Sequence, residues 1–142
     1  MINKRIIPVI IIKAGLVVQS YGFRRYQPIG RPKFIVEYLS SWDCDEIILL
    51  DIDATMESRH ITLSLINDLS KNISVQLTVG GGISSLHIAE LYFNNGDDKV
   101  AINSLFTDGN YHLINEISHE YGSQSTVLSL DFTEDESLRN SL

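Results

Sequence analysis

The sequence predicts an α/β fold with a parallel sheet, and three observations carry that prediction. Short β-branched runs alternate with segments of helical periodicity along the chain, the pattern of consecutive βα units with right-handed crossovers. One run, Glu46-Ile47-Ile48-Leu49-Leu50-Asp51, is nearly all apolar, as a strand covered on both faces should be. Another, Ser74 to Val79, runs directly into the glycines of Thr78-Val79-Gly80-Gly81-Gly82-Ile83.

Each element has its own local reason. Arg5 to Ile12 is strand one, and the segment around Tyr21-Gly22-Phe23-Arg24-Arg25-Tyr26 reads as a long polar loop. Pro32 opens a helix that runs to Ser41, because proline fits a first helical turn, where its missing N–H is no loss. Glu46–Asp51 is strand two. Ile61, Leu65, Ile66 and Leu69 keep helical spacing in the next segment. Ser74–Val79 is strand three, and Ser84-Ser85 offers helix N-caps to Leu86–Phe93. Lys99–Ile102 is strand four, His112–Tyr121 a helix with Leu113, Ile114 and Ile117 inward, and Ser125–Asp131 strand five. Phe34 and Trp42 are expected to pack within their helix region.

Units repeat at about 25–30 residues after the first loop, and a complete eight-unit barrel needs about 250. Residues 1–131 therefore predict about four and a half βα units, the N-terminal half of a (β/α)8 TIM barrel, with 132–142 a polar, acidic tail. Half a barrel leaves strand one and the last strand without outer partners, and unpaired edges recruit other chains. The expectation is a fragment, or an edge covered by self-association or by another chain.

Composition narrows the partners. A net charge of −7 with no basic cluster beyond Arg24-Arg25 argues against nucleic acid. The apolar run Ile6 to Ile12 is too short to span a bilayer, is interrupted by Pro8 and lacks a signal-peptide pattern, so no membrane is expected and the location is cytoplasmic. The single Cys44 excludes an internal disulfide and reads as a packed small hydrophobe. His60, His87, His112 and His119 lack metal-ligand spacing with any carboxylate, so neither a metal nor another cofactor is expected.

The chemistry concentrates at strand ends. A strand, a glycine turn and a helix start place backbone N–H groups around an anion near a positive helix end. Gly81 and Gly82 supply one such turn, unless the glycines merely make a tight connection. Lys99-Val100-Ala101-Ile102-Asn103-Ser104 repeats the design one strand along. Asp51 ends strand two, where barrel sites collect polar residues, with turn capping as the other reading. Thr78 is expected to line the same site.

Arg5-Ile6-Ile7-Pro8, Leu49-Leu50-Asp51-Ile52, Thr78 to Ile83, Asp98-Lys99-Val100, Ile102-Asn103-Ser104 and Tyr121-Gly122-Ser123-Gln124 occur in order at set spacings. Together they resemble the cyclase subunit of imidazole glycerol phosphate synthase (the HisF family), over the first half of its barrel. The resemblance implies phosphate held by Gly81, Gly82, Asn103 and Ser104. It also implies a docked glutaminase subunit whose ammonia enters through a charged gate of Arg5, Glu46 and Lys99 at strand starts. Of the catalytic aspartates only Asp131 persists, as a general acid or base. Ile11 stands where the family has the other, Ala14 where a further loop aspartate falls, and Gln19 where a loop lysine folds over substrate.

One general acid or base contributes about 10²–10⁴-fold, and isoleucine accepts no proton, so cyclase turnover should be severely impaired. The apolar end of strand one resembles a divergent branch linked to surface-polysaccharide biosynthesis. That likeness implies ammonia conducted to a sugar amidotransferase, with the phosphorylated small-molecule site retained. The alternatives are an authentic cyclase (a lyase) in histidine biosynthesis, and an inactive half-barrel.

Overall fold

The computed structural model describes residues 4–103 and 111–130. Seven strands form one sheet: β1 (Val9–Lys13), β2 (Leu16–Tyr21), β3 (Arg25–Gly30), β4 (Glu46–Asp51), β5 (Gln76–Gly80), β6 (Lys99–Ile102) and β7 (Thr126–Leu128). Among the described residues four α-helices accompany them: α1 (Pro32–Ser40), α2 (Leu63–Asn72), α3 (Leu86–Asn94) and α4 (His112–Tyr121). The order across the sheet is β3-β2-β1-β4-β5-β6-β7, with β1, β4, β5, β6 and β7 mutually parallel.

That order decides the architecture. Consecutive parallel strands lie side by side and never reverse direction across the sheet, so right-handed crossovers put every helix on one face. A doubly wound sheet would switch faces; a barrel wall does not. The core fills the helix-facing side, where Ile47, Leu49, Val79, Val100, Ile66, Leu69 and Ile117 are all fully buried. Residues of opposite parity, among them Ile11, Ile48 and Leu50, point to the other face and stay half-exposed. The expected α/β half-barrel is the observed one.

The first segment departs from expectation. The stretch read as a long polar loop is an antiparallel hairpin, β2 and β3, added beside β1. Two tight turns make it. Ala14 and Gly15 both have positive φ (49° and 75°) between paired Lys13 and Leu16. Gly22 and Phe23 repeat this (58° and 57°), and Arg24 N–H donates to the Tyr21 carbonyl at 3.2 Å. Mirror-image turns of this kind match the twist of a two-stranded ribbon. Their usual Asn-Gly or Asp-Gly signature is missing here, which hid the hairpin from the sequence.

Strand one therefore has an outer partner after all, but only at its upper end. β2 pairs with Ile11, Ile12 and Lys13, while below them the chain follows β4 alone, the Ile6 carbonyl accepting from Asp45 N–H and that of Pro8 from Ile48 N–H. The outermost strands of the sheet are β3 and β7. Phe34 and Trp42 correct a second expectation, since they are 63% and 67% exposed rather than packed. No helix among the described residues is long and apolar enough to cross a membrane. Ser104, Asp131 and the tail 132–142 lie outside the described residues.

Candidate functional site at the two ends of the sheet

The C-terminal strand ends surround a cavity of about 350 Å³ lined by Ile11, Leu50, Gly81, Gly82, Asn103 and the hairpin residue Tyr26, among others. Gly81 and Gly82, both at positive φ (119° and 70°), carry β5 into α3. The Ser85 side chain caps that helix, accepting from Ile88 N–H at 3.4 Å. Glycine is required here by contact as well as by backbone angle. A Cβ on Gly82 would lie 1.9 Å from the Arg59 carbonyl oxygen, and one on Gly81 2.4 Å from that of Asp51.

Tyr92 fixes this turn from below. It is fully buried on α3, its hydroxyl donating to the Gly81 carbonyl at 2.8 Å while accepting from Ile61 N–H at 2.8 Å. Burial pushes its phenol up to about 12, so it stays a donor throughout the physiological range. Sequence reasoning placed Tyr92 among the apolar positions of its helix and missed this role; the only signal was a hydroxyl in an otherwise hydrocarbon stripe. Tyr92→Phe should destabilise the protein by about 2–3 kcal/mol, because two buried backbone groups lose their partner while packing is kept. Chemical denaturation measures this, and a loss below about 0.5 kcal/mol would show that neither hydrogen bond matters.

Asp51 acts within its own loop. Its carboxylate accepts from both terminal nitrogens of Arg59, at 2.7 and 3.1 Å, and from the backbone N–H groups of Asp53 and Ala54, both at 3.1 Å. The bidentate pair, joined by Glu57, holds the Arg59 guanidinium firmly protonated. Beside it Lys13 donates to Asp53 at 2.7 Å, and Asp53 also accepts from Ala14 N–H at 2.8 Å, ties that lower the Asp53 pKa and raise that of Lys13. The mouth is thus shaped by ion pairs that use up their own charge. At the strand-one end the lining side chain is Ile11, which offers no proton acceptor.

The opposite, N-terminal end gathers Arg5, Glu46, Lys99 and Thr78. Glu46 opens β4 and is 3% exposed. It accepts from Arg5 at 3.0 Å, from Lys99 at 2.9 Å and from the Thr78 hydroxyl at 2.5 Å. Burial alone would raise the Glu46 pKa; the Thr78 hydroxyl, Lys99 and Arg5 together outweigh it and hold the carboxyl below its ordinary value. Thr78, expected at the mouth, belongs instead to this floor: it pairs with Ile48 and Lys99 low in the sheet and its hydroxyl is consumed by Glu46.

A singly wound parallel sheet with a glycine turn at its mouth and an ion cluster at its floor defines a protein of the (β/α)-barrel class. The chain belongs to the histidine biosynthesis protein family, whose model matches residues 5–141. It is 39% identical over 131 residues to imidazole glycerol phosphate synthase subunit HisF of Flavobacterium johnsoniae, covering 92% of this chain and 52% of that one. The HisF subunits of Lactococcus lactis and Sulfolobus acidocaldarius are likewise 39% identical, over 137 and 131 residues, covering 96% and 92% of this chain and 52% of theirs. The chain spans about half the length of the curated relatives it matches.

Proposed function

We propose that this chain supplies the first half of a HisF-type barrel subunit that works with a glutaminase, holds a phosphorylated small molecule at its mouth, and admits ammonia at its floor. The observation that carries the reading is the Arg5–Glu46–Lys99 cluster, in which Lys99 at the start of β6 and Arg5 from the segment ahead of β1 meet on the buried carboxylate that opens β4. Charge-assisted bonds in a partly desolvated place hold such an entrance shut, and a docked partner that competes for Arg5 or Lys99 would loosen it. Neutral ammonia could then pass without meeting water that would protonate it. At the other end Gly81, Gly82 and Asn103 line one cavity, which supports an anion held by backbone N–H groups. Ser104 and Asp131 complete the proposed phosphate and proton-transfer roles from outside the described residues.

Two destinations for the ammonia stand beside each other. Ile11 at the mouth supports a subunit that no longer closes an imidazole ring and passes ammonia to a separate sugar amidotransferase in surface-polysaccharide biosynthesis. The names of the relatives support imidazole glycerol phosphate formation itself, with Asp131 as the proton-transfer residue. A half-barrel without activity of its own is the remaining reading.

The experiment uses the complete assembly, with the glutaminase and whatever chain supplies the remaining strands. Lys99→Ala should cut glutamine-dependent amidation at least about tenfold while activity with added ammonium salts stays near normal, since only the route of entry is damaged. Equal loss with both nitrogen sources would assign the cluster to stability. Formation of imidazole glycerol phosphate from the ribulosyl precursor at rates typical of enzymes would decide for histidine biosynthesis over sugar amidation.

A further inference from the structure

A second cavity, of about 730 Å³, lies on the helix side of the sheet, between the start of α1 and the loop that leads into α2. Its walls all come from residues 12–65, so it belongs to the first two βα units alone. Buried Ile12 and Ile61 close its base, and Leu16 and Phe34, 37% and 63% exposed, extend its apolar lining. Small-molecule sites occupy roughly 300–1,000 Å³ and have this make-up, an apolar body with a few polar groups.

Charge in this cavity runs against that of the protein, whose net value is −7. Arg31, Lys33 and Arg59 line it, against the carboxylates of Asp51 and Glu57. Both carboxylates are spent on Arg59. Lys33 has only a loose pair with Asp68 at 3.6 Å, between two well-exposed side chains, and such pairs contribute little in water. Arg31 is exposed and its side chain enters no ion pair or hydrogen bond among the described residues. Two positive charges, separated only by Pro32, are thus left over beside an exposed aromatic ring.

We propose that this cavity binds a small phosphate monoester carrying a flat ring, of the nucleoside monophosphate class, its phosphate between Arg31 and Lys33 and its ring against Phe34. A dianionic phosphate matches two neighbouring cations better than a single carboxylate does. Phe34 offers an apolar ring face, and stacking a ligand ring on it removes both from water. The acidic remainder of the protein repels anions, which favours this one positive recess over the rest of the surface. The site uses neither Gly82 nor Asn103 and stands apart from the reading of the mouth.

Titration calorimetry of the full chain with adenosine monophosphate, adenosine and inorganic phosphate tests the proposal. The monophosphate should bind with a dissociation constant below about 1 mM, and each of the other two at least about tenfold more weakly. Arg31→Glu should weaken the monophosphate at least about tenfold and Phe34→Ser at least about threefold. Both side chains are exposed, so circular dichroism should show both variants folded. Amide chemical shifts on adding the monophosphate should move at Arg31, Phe34 and Thr62. Shifts confined to Gly81 and Gly82 would put the nucleotide in the mouth and overturn the proposal. Absence of binding, equal binding of adenosine or of inorganic phosphate, or indifference to both substitutions would overturn it too.

Discussion

Asp97→Asn should stabilise this protein, by about 3 kcal/mol at pH 7 and by more toward pH 9. Asp97 lies just ahead of β6, 6% exposed, with neither carboxylate oxygen in a hydrogen bond. Burial pushes its carboxyl up to about 9, and the neighbouring Asp98 charge adds to the rise. The N–H groups of Lys99, Asp98 and Val79 come near enough to favour ionisation without reaching hydrogen-bond geometry, and they offset burial only in part. The sign follows from proton counting. Between about pH 4 and pH 9 the folded state holds a proton that the unfolded state has released, so stability falls as pH rises through that window. Asparagine keeps the shape, is neutral in both states and removes the slope. Denaturant midpoints at pH 5 and pH 8 for both proteins check this, and parallel pH profiles would show that Asp97 is not buried as a neutral acid. Glu46 works in the opposite sense. Its lowered pKa contributes stability above the ordinary carboxylate range that is lost on acidification.

Gly82→Ala is expected to cost at least about 3 kcal/mol, whereas Gly15→Ala should cost only about 1. The two glycines have nearly the same φ, 70° and 75°, both in the region where a side chain is strained. They differ in surroundings. A Cβ on Gly15 meets nothing within 4 Å, while one on Gly82 falls 1.9 Å from the Arg59 carbonyl. That carbonyl belongs to backbone anchored by the Arg59–Asp51 pair, so it cannot step aside cheaply. Chemical denaturation of both variants separates contact from conformation, and equal losses would show that angle alone decides. Gly81→Val would clash with the Asp51 backbone in the same way, so a loss of binding at the proposed phosphate site in that variant would reflect a displaced loop as well as a filled site.

The sequence by itself determined the βα succession, the parallel sheet and the family. Near-continuous apolar runs such as Ile47 to Leu50 and helical spacing such as Leu113 to Ile117 are local signals, and an uninterrupted apolar strand beside helical periodicity leaves few other readings. It also marked Arg5, Glu46, Lys99, Gly81, Gly82 and Asn103 as the residues to watch. Tertiary structure alone decided the rest. The hairpin depends on φ angles at Ala14 and Phe23 that their residue types do not advertise, and which strand it joins is a matter of long-range pairing. Thr78 sits at the floor instead of the mouth because its hydroxyl finds the Glu46 carboxylate 32 residues away. The Asp51 carboxylate is engaged by Arg59 for the same kind of reason, and Tyr92 reaches two backbone groups that sequence separates widely. Periodicity reports which face of an element is buried; it carries no record of which polar group waits there, because that partner arrives from another part of the chain.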